Sequence, residues 1–183
     1  HHQYIIVSDE GHSIFRPKGK RFEVLSFQRL EYNSENVLFL TEKIRTNLTD
    51  DLISHDVRKK YPLGHPRWNR PLFGHCVPAT FTFLYFMNTD ILSPVRGEDI
   101  EGEGHWWLID NNNGDIIDLT KDQYKTEELD CVYSTGKKRG YYGSKEAPAG
   151  RFFRLMQRVQ PTSILYEINS LREINTYQTP AVG

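Results

Sequence analysis

Cysteine is scarce in this chain: Cys76 and Cys131 are the only two among 183 residues. Two thiols exclude a disulfide framework and a paired-cysteine zinc module, which need several cysteines at short spacings, and they fit a reducing compartment. Long apolar runs are also missing. No stretch approaches the roughly 18 residues of a membrane-crossing helix, and the first residues lack the basic-then-apolar order of a secretion signal. A cytoplasmic protein is expected, with no membrane partner. Nor does either charge dominate. Lys and Arg number 23 against 24 Asp and Glu, a formal net charge of -1, so no global field draws the chain to nucleic acid. There is no internal repeat, no low-complexity tract and no cofactor motif, and no cofactor is expected.

What remains is ordinary globular material, with 38% hydrophobic and 26% charged residues, enough for one domain with its own core. Aromatics are on the high side at 13%, ten of them Tyr, enough to line a groove. The chain reads as one unit over 1–183. An N-terminal extension covers 1–60, and a cysteine-bearing core covers 62–160.

The most informative stretch is Gly74-His75-Cys76-Val77-Pro78-Ala79, running on through Thr80 to Met87. Gly74 suits a tight turn and Pro78 suits a first helical turn, where a missing N–H costs nothing. The dozen uncharged positions that follow predict a helix buried nearly all round. Cys76 would stand at its mouth, where unpaired N–H groups and the helix dipole favour a thiolate.

Around that helix the expected elements follow in order. Tyr4–Val7, Ile14-Phe15 and Phe22–Leu30 are β-prone, and the opening reads as an extra N-terminal β hairpin. Asn33-Ser34 caps a helix carrying Val37, Leu38, Leu40 and Ile44. Thr49 caps a second, which runs to a basic end and stops at Pro62. The segment 62–73 is a loop delivering the chain to Cys76. His105–Ile109 and Ile116–Thr120 form the clearest hairpin, around an Asn- and Gly-rich turn. Cys131-Val132-Tyr133 reads as a further strand, and 134–150 as a glycine-rich loop. A last helix opens at Pro148 and ends at Pro161, with Phe152, Leu155, Met156 and Val159 on one face and Arg151, Arg154 and Arg158 beside them. Ile164–Tyr177 reads as a strand or a helix. The fold class is α+β, a core helix on an antiparallel sheet of about four to six strands.

The hairpin carries the chemistry. Side chains alternate along a strand, so His105, Trp107 and Ile109 share one face, as do Ile116, Asp118 and Thr120 on the return. With a four-residue turn, either register puts His105 and Asp118 on the same side, directly or diagonally opposed. A three-residue turn would separate them. Asp118 sits among Ile116, Ile117 and Leu119, and a carboxylate buried there needs a partner. With Cys76 brought to the same place, the three would form a Cys-His-Asp triad. Cys76 would be the nucleophile, His105 the acid and base, and Asp118 the group fixing the ring. Those roles suit acyl transfer, either amide or ester hydrolysis or transfer to an amine, on a small-molecule or a peptide or protein amide.

The order of these pieces resembles the transglutaminase-like and papain-like cysteine enzymes, and more narrowly the YunG-like proteins of bacteria. The resemblance rests on Trp68-Asn69, Gly74-His75-Cys76, His105-Trp106, Gly114, Asp118-Leu119-Thr120 with Gln123-Tyr124, and Arg151-Phe152 with Leu155. It spans about half of the chain, residues 68 to 160. It implies a papain/transglutaminase-like fold and the same triad, with no substrate. One position departs: His75 stands where the family pattern has Gln. If that Gln donates to the oxyanion, His75 must substitute through a ring N–H, or the activity is altered or lost.

Other residues divide between site and scaffold. His75, Trp68, Asn69 and Trp107 are candidate substrate or oxyanion contacts, although Trp68 and Asn69 read more readily as loop packing. Trp106 faces away from Trp107 and is expected in the core, Gln123-Tyr124 as a structural corner, and Cys131 as an inert thiol. His75, Cys76, His105 and Asp118 are also ligand types for zinc, but at no zinc-motif spacing. The rival class is a non-catalytic binding module on the same fold, recognising a phosphate-bearing ligand or a protein partner through its arginines and aromatics.

Overall fold

The uncharged stretch after Gly74 folds as the central helix α3, Cys76–Met87, in which every residue from Pro78 to Met87 is buried. Such a helix is stable only when covered on all sides. In this computed structural model, which describes residues 4–8, 11–19, 21–87, 89–140, 150–161 and 164–168, that cover comes from two helices and a sheet. The helices are α1, Ser34–Thr46, and α5, Gly150–Val159. The sheet runs β6-β5-β4-β7, with β4 at Leu92–Glu98, β5 at Gly104–Asp110, β6 at Ile116–Ile117 and β7 at Lys137–Lys138, all antiparallel. Among the described residues the chain is thus α+β, with antiparallel sheets and five α-helices. Among the described residues no helix is long and apolar enough to cross a membrane.

The N-terminal segment is larger than a hairpin. Strands β1, Tyr4–Ser8, β2, Gly11–Lys18, and β3, Arg21–Gln28, form an antiparallel meander. Strand β8, Ile164–Ile168, pairs with β3 and completes a second four-stranded sheet. Strands from the N-terminal segment and from residues 164–168 therefore share one sheet. Residues beyond 168, the latter part of the Ile164–Tyr177 segment, lie outside the described residues.

Local signals account for the helices. The Asn33 side chain accepts from the N–H of Asn36 and caps α1, while Ser54 caps the short α2, His55–Lys60, by accepting from Val57. On α5 the apolar spacing buries Phe152, Leu155, Met156 and Val159, and Phe153 with them. Its arginines are occupied: Arg154 donates to Asp51 O and pairs with its carboxylate, Arg158 pairs with the same carboxylate at 2.6 Å, and Arg151 donates to Leu52 O. The basic stripe clamps the 47–52 segment.

One strand expectation fails. Cys131-Val132-Tyr133 lies in helix α4, Thr126–Ser134. Three β-prone residues lose there to an acidic first turn, Glu127 and Glu128, which suits a helix N-terminus and fixes the period. Both cysteines are free thiols, Cys76 half-buried and Cys131 exposed.

Candidate active site

Gly74, at φ 83°, turns the chain into α3. The peptide of His75 then starts the helix, its carbonyl accepting from the N–H of Ala79. Cys76 and Val77 are first-turn residues, so their N–H groups have no carbonyl of a preceding turn to bond and remain donors at the helix mouth.

The hairpin closes with the register Leu108↔Ile117 and Ile109↔Ile116, and Asp110 bonds Asp115 across a turn of residues 111–114. Strand β6 ends at Ile117, before Asp118. The carboxylate then turns in under His105: His105 Nε2 lies 2.7 Å from Asp118 Oδ2, with both side chains essentially inaccessible. Asp118 is held by more than the histidine. Tyr133 donates its hydroxyl to Oδ2 at 3.0 Å and the Thr120 N–H donates to Oδ1 at 3.1 Å. Those contacts push the Tyr133 phenol up, first through burial and then through the charge of Asp118.

Asp118 occupies Nε2, which leaves Nδ1 for the ring's second contact. Gln123 Nε2 stands 3.2 Å from it and also reaches Thr120 O and Oγ1. Burial alone would lower the ring's pKa. The hydrogen bonds and charges of Asp118 and Cys76 outweigh it and push His105 up to about 9. Cys76, 29 positions away in sequence, is thus among the groups that act on the ring.

The ring's surroundings are aromatic. Trp107 stacks on His105 at a centroid distance of 5.7 Å, and Tyr124 meets it edge-on at 5.0 Å. The Trp107 indole is itself wedged between two glycines. A Cβ on Gly97 would lie 2.6 Å from the indole's outer edge, and one on Gly136 would lie 2.5 Å from it. Gly136→Ala is therefore expected to force the indole off its seat, at about 2 kcal/mol. In a chain of this size that lowers the thermal midpoint by roughly 4–8 °C, read by a calorimetric scan.

Behind Tyr124 lies a second buried charge system. Its hydroxyl donates to Asp99 at 3.0 Å, and Asp99 pairs with Arg67 at 2.7 Å, both side chains 3% exposed. The other Asp99 oxygen accepts the N–H groups of Glu101 and Glu103. Burial raises the Asp99 carboxyl, but Arg67 and these donors more than offset it, and the net shift is downward.

The remaining candidates are placed as follows. His75 is buried, its Nε2 at 3.0 Å from Thr49 O. A ring nitrogen facing a carbonyl is the protonated one, so the N–H that was to serve an oxyanion is spent on Thr49. Trp68 donates to Tyr61 O and Pro62 O and packs on Phe73, as loop packing requires, and Asn69 is exposed. Trp107, expected at the site's border, is buried and stacks on His105, and Trp106, expected in the core, packs against it on Phe81 and also lines the cavity over Cys76. Gln123, expected as a structural corner, touches the catalytic candidate directly. The signal available for it was the run Thr120 to Gln123, a single 3-10 turn that folds its amide back over the hairpin.

The cavity beside Cys76 has a volume of about 250 Å3 and is lined by Trp106, Gln123, Arg96 and Glu103, among others. No group of three or more His, Cys, Asp or Glu able to hold a metal ion comes together among the described residues. Comparison with protein-family models, with curated proteins and with solved structures finds no match to this chain.

Proposed function

We propose that the protein is a cysteine-dependent acyl-transfer enzyme, a hydrolase or an amine acyltransferase, on a papain/transglutaminase-like arrangement. The observation that carries this is the buried His105 ring bonded to the Asp118 carboxylate at 2.7 Å, with Cys76, at the start of α3, among the groups that raise its pKa. A core helix with Cys at its start and a buried His-Asp pair beside it supports the reading.

In the reaction the Cys76 sulfur bonds the acyl carbon while the His105 ring, protonated at neutral pH with its pKa at about 9, carries the proton. The oxyanion so formed lies before the N–H groups of Cys76 and Val77. Breaking the bond to the leaving amine or alcohol returns the proton from His105 and leaves a thioester. Water or an amine then attacks it, His105 takes the new proton, and the thiol is restored. Asp118 holds the ring and balances its charge throughout.

The two cysteines give an internal test. Accessibility alone would make the exposed Cys131 the faster to alkylate and the half-buried Cys76 the slower. Activation by His105 reverses that order, and labelling with iodoacetamide at pH 7, read by peptide mass, is expected to modify Cys76 first. Slower labelling of Cys76 than of Cys131 would count against a nucleophilic role. The binding-module alternative draws no support from the α5 arginines, which are committed to the 47–52 segment.

A further inference from the structure

We propose that the cavity over Cys76 selects acyl substrates carrying a carboxylate, which the Arg96 guanidinium binds; this rests on Cys76 being the nucleophile. Arg96 stands directly opposite Trp106 on β4 and shares the cavity with Cys76 and Trp106. Its head is not trailing in solvent. It is laid over Gly104, where an added Cβ would lie 2.7 Å from Nη2 and 3.1 Å from both Cζ and Nε. The missing side chain at 104 is what lets the guanidinium rest on the backbone one residue before His105.

The other charged groups of the cavity are spoken for or ill placed. Glu103 is neutralised by Lys60 at 2.7 Å and by the Tyr61 hydroxyl. Arg151 donates to Leu52 O and lies over the Phe152 ring. Asp56 sits in the first turn of α2, where the helix dipole offsets part of its charge. Among the described residues Arg96 has only Glu98, at 3.6 Å and 56% exposed, a rim pair of little strength that leaves most of five donors unused. A carboxylate presented from the cavity would take two of those donors at once, the geometry guanidinium is built for. A volume of about 250 Å3 suits a small acid rather than a large ligand.

Two alkylating probes that differ only in this group make the test. Iodoacetate and iodoacetamide both form an S–C bond to Cys76 and release iodide, the thiol proton going to His105. Arg96→Gln is expected to slow iodoacetate at Cys76 by about tenfold while leaving iodoacetamide within about twofold. Gly104→Ala, which displaces the guanidinium, should act in the same direction. On the unaltered protein, glutarate should protect Cys76 from iodoacetamide and its neutral diamide, glutaramide, should not. Equal effects of Arg96→Gln on both probes, or no protection by glutarate, would overturn the proposal. Protection can be read even from a slowly labelled Cys76, so failure of the carboxylate site and failure of the nucleophile show as different results.

Discussion

Arg67→Met is expected to be the most destabilising single change, by about 3 kcal/mol. The substitution keeps an unbranched apolar stem and removes the charge. Asp99 then stays buried with the Tyr124 hydroxyl and two backbone N–H groups but no cation. The guanidinium over the Tyr61 and Phe73 rings is lost as well. In urea the midpoint should fall by roughly 1–2 M at unchanged slope. Asp99→Asn in the same chain should recover part of the loss, because the stranded charge, rather than the missing contact, accounts for most of it. Acid tests the same pair. The folded Asp99 carboxyl lies below its ordinary value of 3.8, so its contribution is present above that value and disappears as pH falls through the folded pKa. Arg67→Met should therefore flatten the acid limb of the stability curve.

His105→Ala should slow iodoacetamide at Cys76 by about a hundredfold, the usual worth of a positioned acid or base. The labelling rate of Cys131, on the far side of α4, serves as the internal reference. Asp118→Asn should fall between the two, since an amide can still orient the ring but cannot balance its charge. Stability responds in the opposite pH direction from Asp99. His105 is raised from 6.5 to about 9. Its contribution is complete below 6.5 and is lost as pH climbs through 9. The unaltered protein should thus lose stability across that alkaline window, and His105→Ala should lose much less.

The site was more legible in the sequence than its surroundings. Parity along Gly104–Asp110 and a four-residue turn anticipated His105 and Asp118 on one side, although β6 stops at Ile117 and the segment after it is what brings Asp118 to the ring. The helix behind Cys76 was equally plain, as a dozen uncharged residues have few other places to go. Three things depended on tertiary neighbours. Arg67 and Asp99 lie 32 positions apart in loops, and nothing in either loop announces the other. Gln123 meets His105 only because β6 stops at Ile117 and frees the following segment to fold back. The pairing of β8 with β3 joins the two ends of the chain, a contact no local pattern encodes. Cys131-Val132-Tyr133 erred for a simpler reason, since β propensity over three residues is weaker than the capping and charge of a whole helical turn.

If thiol, imidazole and carboxylate act as one unit, the ring of His105 must register both neighbours. Its titration, followed by nitrogen NMR of the imidazole in the intact protein and in Cys76→Ser, reads this directly. Cys76 is one of the groups that raise the ring's pKa to about 9, so the expected result is a midpoint near that value which drops when sulfur is replaced. A midpoint at the unperturbed 6.5, the same with or without the thiol, would contradict the triad.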